Sequence, residues 1–154
     1  MATEIERKFL VRGEAWRALD PGVSYRQGYL STEAARSVRV RIAGARGFLT
    51  LKGASTGASR AEYEYEIPVA DAQEIFDTLC LRPRIEKVRR RIDYRGRVWE
   101  VDEFFGDNRG LVIAEVELTE VDQEVALPDW VGEEVTGDPR YYNANLVRHP
   151  YSAW

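Results

Sequence analysis

The chain has 154 residues, a formal net charge of -4, one cysteine and one histidine. That length fits a single domain spanning residues 1–154, which can bury roughly 68–70% of its unfolded surface without a disulfide or a structural metal. One thiol excludes an internal disulfide, the acidic balance argues against a broad nucleic-acid surface, and no apolar run approaches the ~20 residues of a membrane span.

Read in chain order, most of the sequence alternates residue types with period two, the strand signature. Early acids open the chain, with no apolar signal region, so a cytoplasmic protein is expected. The first strand is predicted over Glu4–Val11 and a short helix over Glu14–Leu19. Strands follow at Ser24–Leu30, Ser37–Ile42, Gly47–Leu51 and Ala61–Val69, separated by Gly-rich turns. Asp71 then caps a predicted helix to about Leu81, with Glu74 three residues on as a capping box and Pro83 as the stop. Glu86–Tyr94 and Arg97–Phe104 form a tight hairpin, and Leu111–Leu118 is the next strand. A short helix is expected at Glu120–Val125. Asp138 and Pro139 read as N-cap and first residue of a C-terminal helix to about Val147. Cys80 is expected in the core, His149 at the surface, and the tryptophans between helices and sheet.

The charges carry the information. Residues i, i+2 and i+4 of a strand share a face. Glu4, Glu6 and Lys8 therefore sit together, as do Arg39 with Arg41, Thr50 with Lys52, and Glu62, Glu64 with Glu66. The same holds for Lys87, Arg89 and Arg91, for Glu100 and Asp102, and for Glu115 and Glu117. Nearly every strand thus has a charged face and a largely apolar one. An open antiparallel sheet, wet on one side, is one design with this pattern, and composition by itself favours it. A closed barrel with the charges inside is the other. Acidic and basic strands are grouped rather than interspersed, and the helices are too few to cover a broad flat sheet; both details pull toward closure. Carboxylates hold hard divalent cations, and Lys and Arg hold phosphate oxygens, so a charge-lined interior suits a metal-bound polyphosphate.

Glu4-Ile5-Glu6-Arg7-Lys8 resembles the ExExK signature of the CYTH domain, the triphosphate tunnel metalloenzymes. The similarity continues in order through Arg26–Leu30, Arg39 and Arg41, Leu49–Lys52, Arg60–Glu64, Glu86–Arg89, Glu115–Glu117, Gly132–Thr136 and Asp138–Leu146. The resemblance implies a mainly β, α+β fold: an eight-stranded antiparallel β-barrel tunnel with a few helices packed outside. By position, Glu4, Glu6, Glu115 and Glu117 match the family's metal-binding acids, and Glu62, Glu64 and Asp102 match further acidic tunnel positions. Lys8, Arg39, Arg41, Lys52, Lys87 and Arg89 match its phosphate-binding bases, with Arg60 as an additional substrate contact. Lys87, Glu4 and Glu6 are the expected catalytic groups, and Lys87 also neutralises the leaving group. The chain is most similar to the short bacterial inorganic tripolyphosphatases. The expected reaction is hydrolysis of tripolyphosphate to pyrophosphate and phosphate with Mg²⁺ or Mn²⁺, two ions in all. The alternatives are a nucleotide or thiamine triphosphatase, an adenylate cyclase of the family's own class, and a non-catalytic polyphosphate-binding module. The expected partner is a small triphosphate, with no nucleic acid and no membrane, for a monomer or homodimer.

Overall fold

A computed structural model describes residues 3–154. Its strands are β1 (Thr3–Val11), β2 (Val23–Glu33), β3 (Arg36–Ala43), β4 (Arg46–Gly53), β5 (Ser59–Ile67), β6 (Ile85–Tyr94), β7 (Arg97–Phe104), β8 (Val112–Glu117) and β9 (Val131–Glu134). Two α-helices, α1 (Val69–Thr78) and α2 (Asn143–Arg148), accompany them. The sheet order is β5-β4-β3-β2-β6-β7-β8-β1-β9, and β5 also pairs with β1. That last pairing, with Thr3 opposite Ala61 and Glu4 opposite Arg60, closes eight antiparallel strands into a barrel. The ninth, β9, continues the same edge of β1 at Phe9 and Val11. The β6–β7 hairpin turns through Arg95 and Gly96, both at positive φ (48° and 80°), the geometry of a two-residue turn suited to twisted strands.

Three apolar clusters hold the barrel. Outside it, Phe9, Trp99, Val101, Ala114 and Val116 pack with Trp16 and Trp130, which come from the connecting segments. On another outer face, Ala72 and Phe76 of α1 cover Val40 and Ile42. The approach is close: a Cβ on Gly47 would lie 2.6 Å from that of Ala72, so only glycine fits there. The third cluster fills one end of the interior, where Tyr29, Ile85, Phe104 and Ile113 meet Leu146 and Val147 of α2. The outer face of β4 and β5 is left less covered, with Leu51, Tyr63 and Tyr65 exposed. No helix among the described residues is long and apolar enough to cross a membrane.

Several expectations shift. Helix α1 begins at Val69 with Pro68 as N-cap, so Asp71 lies in the first turn and its side chain makes no cap hydrogen bond. Proline already holds the extended entry conformation, and its carbonyl accepts from Ala72 N at 3.0 Å. The helix also ends at Thr78, short of Leu81. Residues 120–125 are not helical: Gln123 Oε1 instead accepts from Thr119 N and Oγ1. Asp138 does cap a turn, accepting from Arg140 N at 3.1 Å, but this turn is a single 3₁₀ turn over Pro139–Tyr141. Tyr142 is extended (ψ 132°), and α2 starts afresh at Asn143. The break turns Tyr142 and Asn143 toward the interior cavity.

Candidate active site

The barrel encloses a cavity of about 500 Å³ that runs from the β6–β7 hairpin to the β2–β3 hairpin and the start of α2. Period-two alternation places the charged side chains on its wall. One side is acidic. Glu4 and Glu6 of β1 lie beside Glu115 and Glu117 of β8, with Glu6 opposite Glu117 in register, and Glu62 and Glu64 of β5 continue the wall. Burial, a hydrogen bond donated to Glu62 and the nearby carboxylates raise the Glu4 carboxyl above its ordinary range, against the pull of Lys52. Burial and Glu115 raise Glu6 well above its range despite Lys8. Burial, Glu4 and Glu100 raise Glu117. Burial opposes ionisation of Glu115 too, yet Lys8, Arg89 and Lys87 hold it well below the usual range.

Two lysines bridge these acids. Lys52 Nζ donates to both oxygens of Glu4 at 3.0 Å and reaches Glu62 at 3.1 Å. Lys8 Nζ lies 3.4 Å from Glu115 and 3.8 Å from Glu6. Among the described residues no three acidic side chains converge on one point. The donor set nevertheless fits a hard divalent cation: every candidate ligand is a carboxylate oxygen, and their mutual repulsion is what a cation relieves.

The other side is basic and deeper. Arg39, Arg41, Lys87 and Arg89 are all buried. Arg39 Nη2 donates to Thr50 Oγ1 at 3.2 Å, and Thr50 in turn donates to Glu64 at 2.8 Å. Arg41 Nη2 reaches the same carboxylate at 3.3 Å. Tyr25 is wedged between two guanidinium groups, 5.0 Å from that of Arg41 and 5.1 Å from that of Arg89. Burial, Arg39 and Arg89 depress Arg41 to about 10. The Nε atoms of Arg39, Arg41 and Arg60 are buried without a partner among the described residues. The guanidinium groups of Arg39 and Arg41 line the cavity with one shared carboxylate, Glu64, between them, an arrangement that favours added anionic oxygens.

Asp102 anchors this wall from behind. Its Oδ1 accepts from Arg89 Nε at 2.7 Å, and its Oδ2 accepts from Arg89 Nη2 at 2.8 Å and Lys87 Nζ at 2.7 Å. Burial works against its charge, but Arg89 and Lys87 hold it down at about 2. Burial lowers Lys87 to about 7, assisted by Arg89 and opposed by Asp102.

The CYTH domain model matches residues 2–151. The chain belongs to the CYTH domain family. Over 151 residues it is 56% identical to a protein of Acetivibrio thermocellus named inorganic triphosphatase, covering 98% of this chain and 97% of that relative. A second protein of the same name, from Nitrosomonas europaea, is 40% identical over 153 residues, covering 94% and 97%. The crystal structure of an inorganic triphosphatase superposes with a TM-score of 0.68 at 37% identity, covering 96% of this chain and 95% of that one.

In this CYTH domain, Glu4, Glu6, Lys8, Arg39, Arg41, Lys52, Arg60, Glu62, Glu64, Lys87, Arg89, Glu115 and Glu117 all line the one cavity. Asp102 is the expected site residue that does not: it is buried behind the wall with both oxygens occupied by Lys87 and Arg89. Arg91 lines the mouth, whereas Glu66 pairs with Arg46 at the surface. Sequence reasoning passed over Tyr25, Gln27, Thr50, Tyr142 and Asn143 as site residues. The alternation that found the charges also puts Tyr25, Gln27 and Thr50 on inward positions, but neutral side chains gave no sign there. Tyr142 and Asn143 depend on the helix break, which residue periodicity does not signal.

Proposed function

We propose that this protein is a metal-dependent inorganic triphosphatase that hydrolyses tripolyphosphate to pyrophosphate and phosphate inside the barrel. The observation that carries the reading is the division of one cavity into an acidic wall of glutamates and a basic wall of Arg39, Arg41, Lys87 and Arg89. The names of the two full-length relatives support the substrate.

Glu4, Glu6, Glu115 and Glu117, with Glu62 and Glu64 at the margin, would hold Mg²⁺ or Mn²⁺. Each such ion uses one or two carboxylates plus substrate oxygens, so the set suffices for two. Bound there, the cations supply neutralisation and Lewis-acid polarisation of phosphate oxygens. The chain's own groups do the rest. Arg39, Arg41 and Arg89 clamp the phosphoryl oxygens, and Arg60 and Lys8 reach the same space from the acidic side. Lys87, fixed by Asp102, faces the cavity and stabilises the charge that develops on the departing pyrophosphate. Its pKa of about 7, set first by burial, also lets it hand over a proton near neutral pH. Lys52 holds Glu4 and Glu62 in place between turnovers.

The test is phosphate release from tripolyphosphate with Mg²⁺ or Mn²⁺, beside ATP and an EDTA control, for the wild type and Glu4→Gln. Metal-dependent release from tripolyphosphate that exceeds release from ATP and is lost in the variant supports the proposal. No release with either metal rejects it.

A further inference from the structure

Deep in the cavity, Lys87 Nζ donates not only to Asp102 but also to Asn143 Oδ1, at 3.1 Å. Gln27 Nε2 donates to the same oxygen at 2.8 Å. Asn143 opens α2, and Gln27 sits on the inward face of β2, fully buried. An ammonium has donors only, so the Asn143 amide must turn its oxygen to Lys87. The reverse orientation would set N–H against N–H. With two donors on it, that oxygen is fully engaged and the amide plane is fixed. Asn143 Nδ2 then carries two N–H groups with no partner among the described residues. It is not sealed off either, because Asn143 is half-buried and lines the cavity.

Gln27 reinforces the point. Its own Oε1 is buried without a partner among the described residues, a cost that packing alone does not require. An apolar residue at this inward position would avoid it, yet would leave Asn143 held by Lys87 alone.

We propose that Asn143 is a further substrate-binding residue, its amide locked by Lys87 and Gln27 so that Nδ2 donates to a phosphoryl oxygen next to the Lys87 ammonium. Gln27 is its positioning residue. This inference rests on the triphosphatase reading above. It makes the recognition of the phosphoryl group at Lys87 a two-point contact, one charged and one neutral, delivered from adjoining elements, β6 and α2. It also gives the break before α2 a purpose, since a helix continuous from Pro139 would not place Asn143 at this point.

Asn143→Asp separates the two roles. The carboxylate keeps the acceptor for Lys87 and Gln27 but replaces the donor with an oxygen that repels phosphate. Steady-state hydrolysis of tripolyphosphate with Mg²⁺, calorimetric titration of tripolyphosphate into the metal-free protein in EDTA, and thermal melting are measured on the full chain. For Asn143→Asp the expectation is an unchanged melting temperature, KM raised roughly tenfold or more, and metal-free affinity reduced by a similar factor, as for losing a hydrogen bond to a charged group. Asn143→Ala, which also frees Lys87, is expected to lower kcat as well. Gln27→Leu is expected to raise KM by roughly threefold, less than either, because it loosens the amide without removing it. Wild-type KM and affinity in Asn143→Asp would mean that Asn143 only props Lys87, and would overturn the inference while leaving the triphosphatase reading intact. A wild type that neither hydrolyses nor binds tripolyphosphate overturns that reading, and the inference with it.

Discussion

The two walls of the cavity are built from the same strand geometry and solve opposite electrostatic problems. On the acidic wall, Glu4, Glu6 and Glu117 are pushed upward by burial and by one another, and only Lys8 and Lys52 offset them. On the basic wall, Lys87 and Arg89 share a buried counter-ion, Asp102, so two of its four cations are fixed before any ligand arrives. Arg39 and Arg41 keep unpaired Nε donors. The difference shows how the site is pre-organised. The basic wall shares Asp102 and Glu64 among four cations, while the acidic wall sets its glutamates against two lysines. A metal-bound polyphosphate brings anions to the first and cations to the second.

The largest effect is expected at the anchor of the basic wall. Asp102→Asn removes the counter-ion of two buried cations and is expected to destabilise the fold by about 3–5 kcal/mol, as read by denaturant unfolding. Next, Lys87→Met leaves the wall's shape and removes its most buried charge. Hydrolysis is expected to fall by roughly 10²–10³-fold in kcat, with the fold retained because Arg89 still pairs with Asp102 through two hydrogen bonds. Arg41→Lys keeps the charge but loses the planar fork and the contact with Tyr25. KM for tripolyphosphate should rise about tenfold with a smaller change in kcat. The mildest effect sharpens the contrast, because it has the opposite sign. Glu6 is raised above its unfolded value, so the native state binds more protons than the unfolded state from about pH 4.5 upward. Its contribution to stability therefore falls as pH rises through that window. In EDTA at neutral pH, Glu6→Gln is expected to raise the melting temperature by about 2–4 °C, a gain that shrinks on acidification toward pH 4.5 and reverses in saturating Mg²⁺. A loss of stability in EDTA would show that the acidic wall is not under repulsion.

Much of this was legible in the residues. Strand positions, the inward faces of Glu4, Arg39, Lys87 and Glu115, and the grouping of acids and bases all follow from period-two alternation, which is local. Other features were not. The inward face of β6 runs from Lys87 to Ile85, and that of β8 from Glu115 to Ile113, where the wall changes from charged to apolar. Alternation assigns a face but not a depth along the barrel. Asp102 looked like one more tunnel acid, because nothing in its spacing reveals that Lys87 and Arg89 would cover both its oxygens. Strand β9 was missed because its four residues (Val131–Glu134) are too few for a pattern to show.

By itself, then, the sequence determined which residues share a face and which sign each strand carries, since both depend on neighbours two residues apart, and its ordered motifs carried the family resemblance. Residue alternation left open whether the sheet closes, and the tertiary structure bears out the barrel that the resemblance implied, through Glu4 meeting Arg60; it alone decided that α2 restarts at Asn143 to meet Lys87 and Gln27. Those contacts join residues 56 to 116 positions apart. Chain closure and packing select such pairs, and local propensity has no term for them.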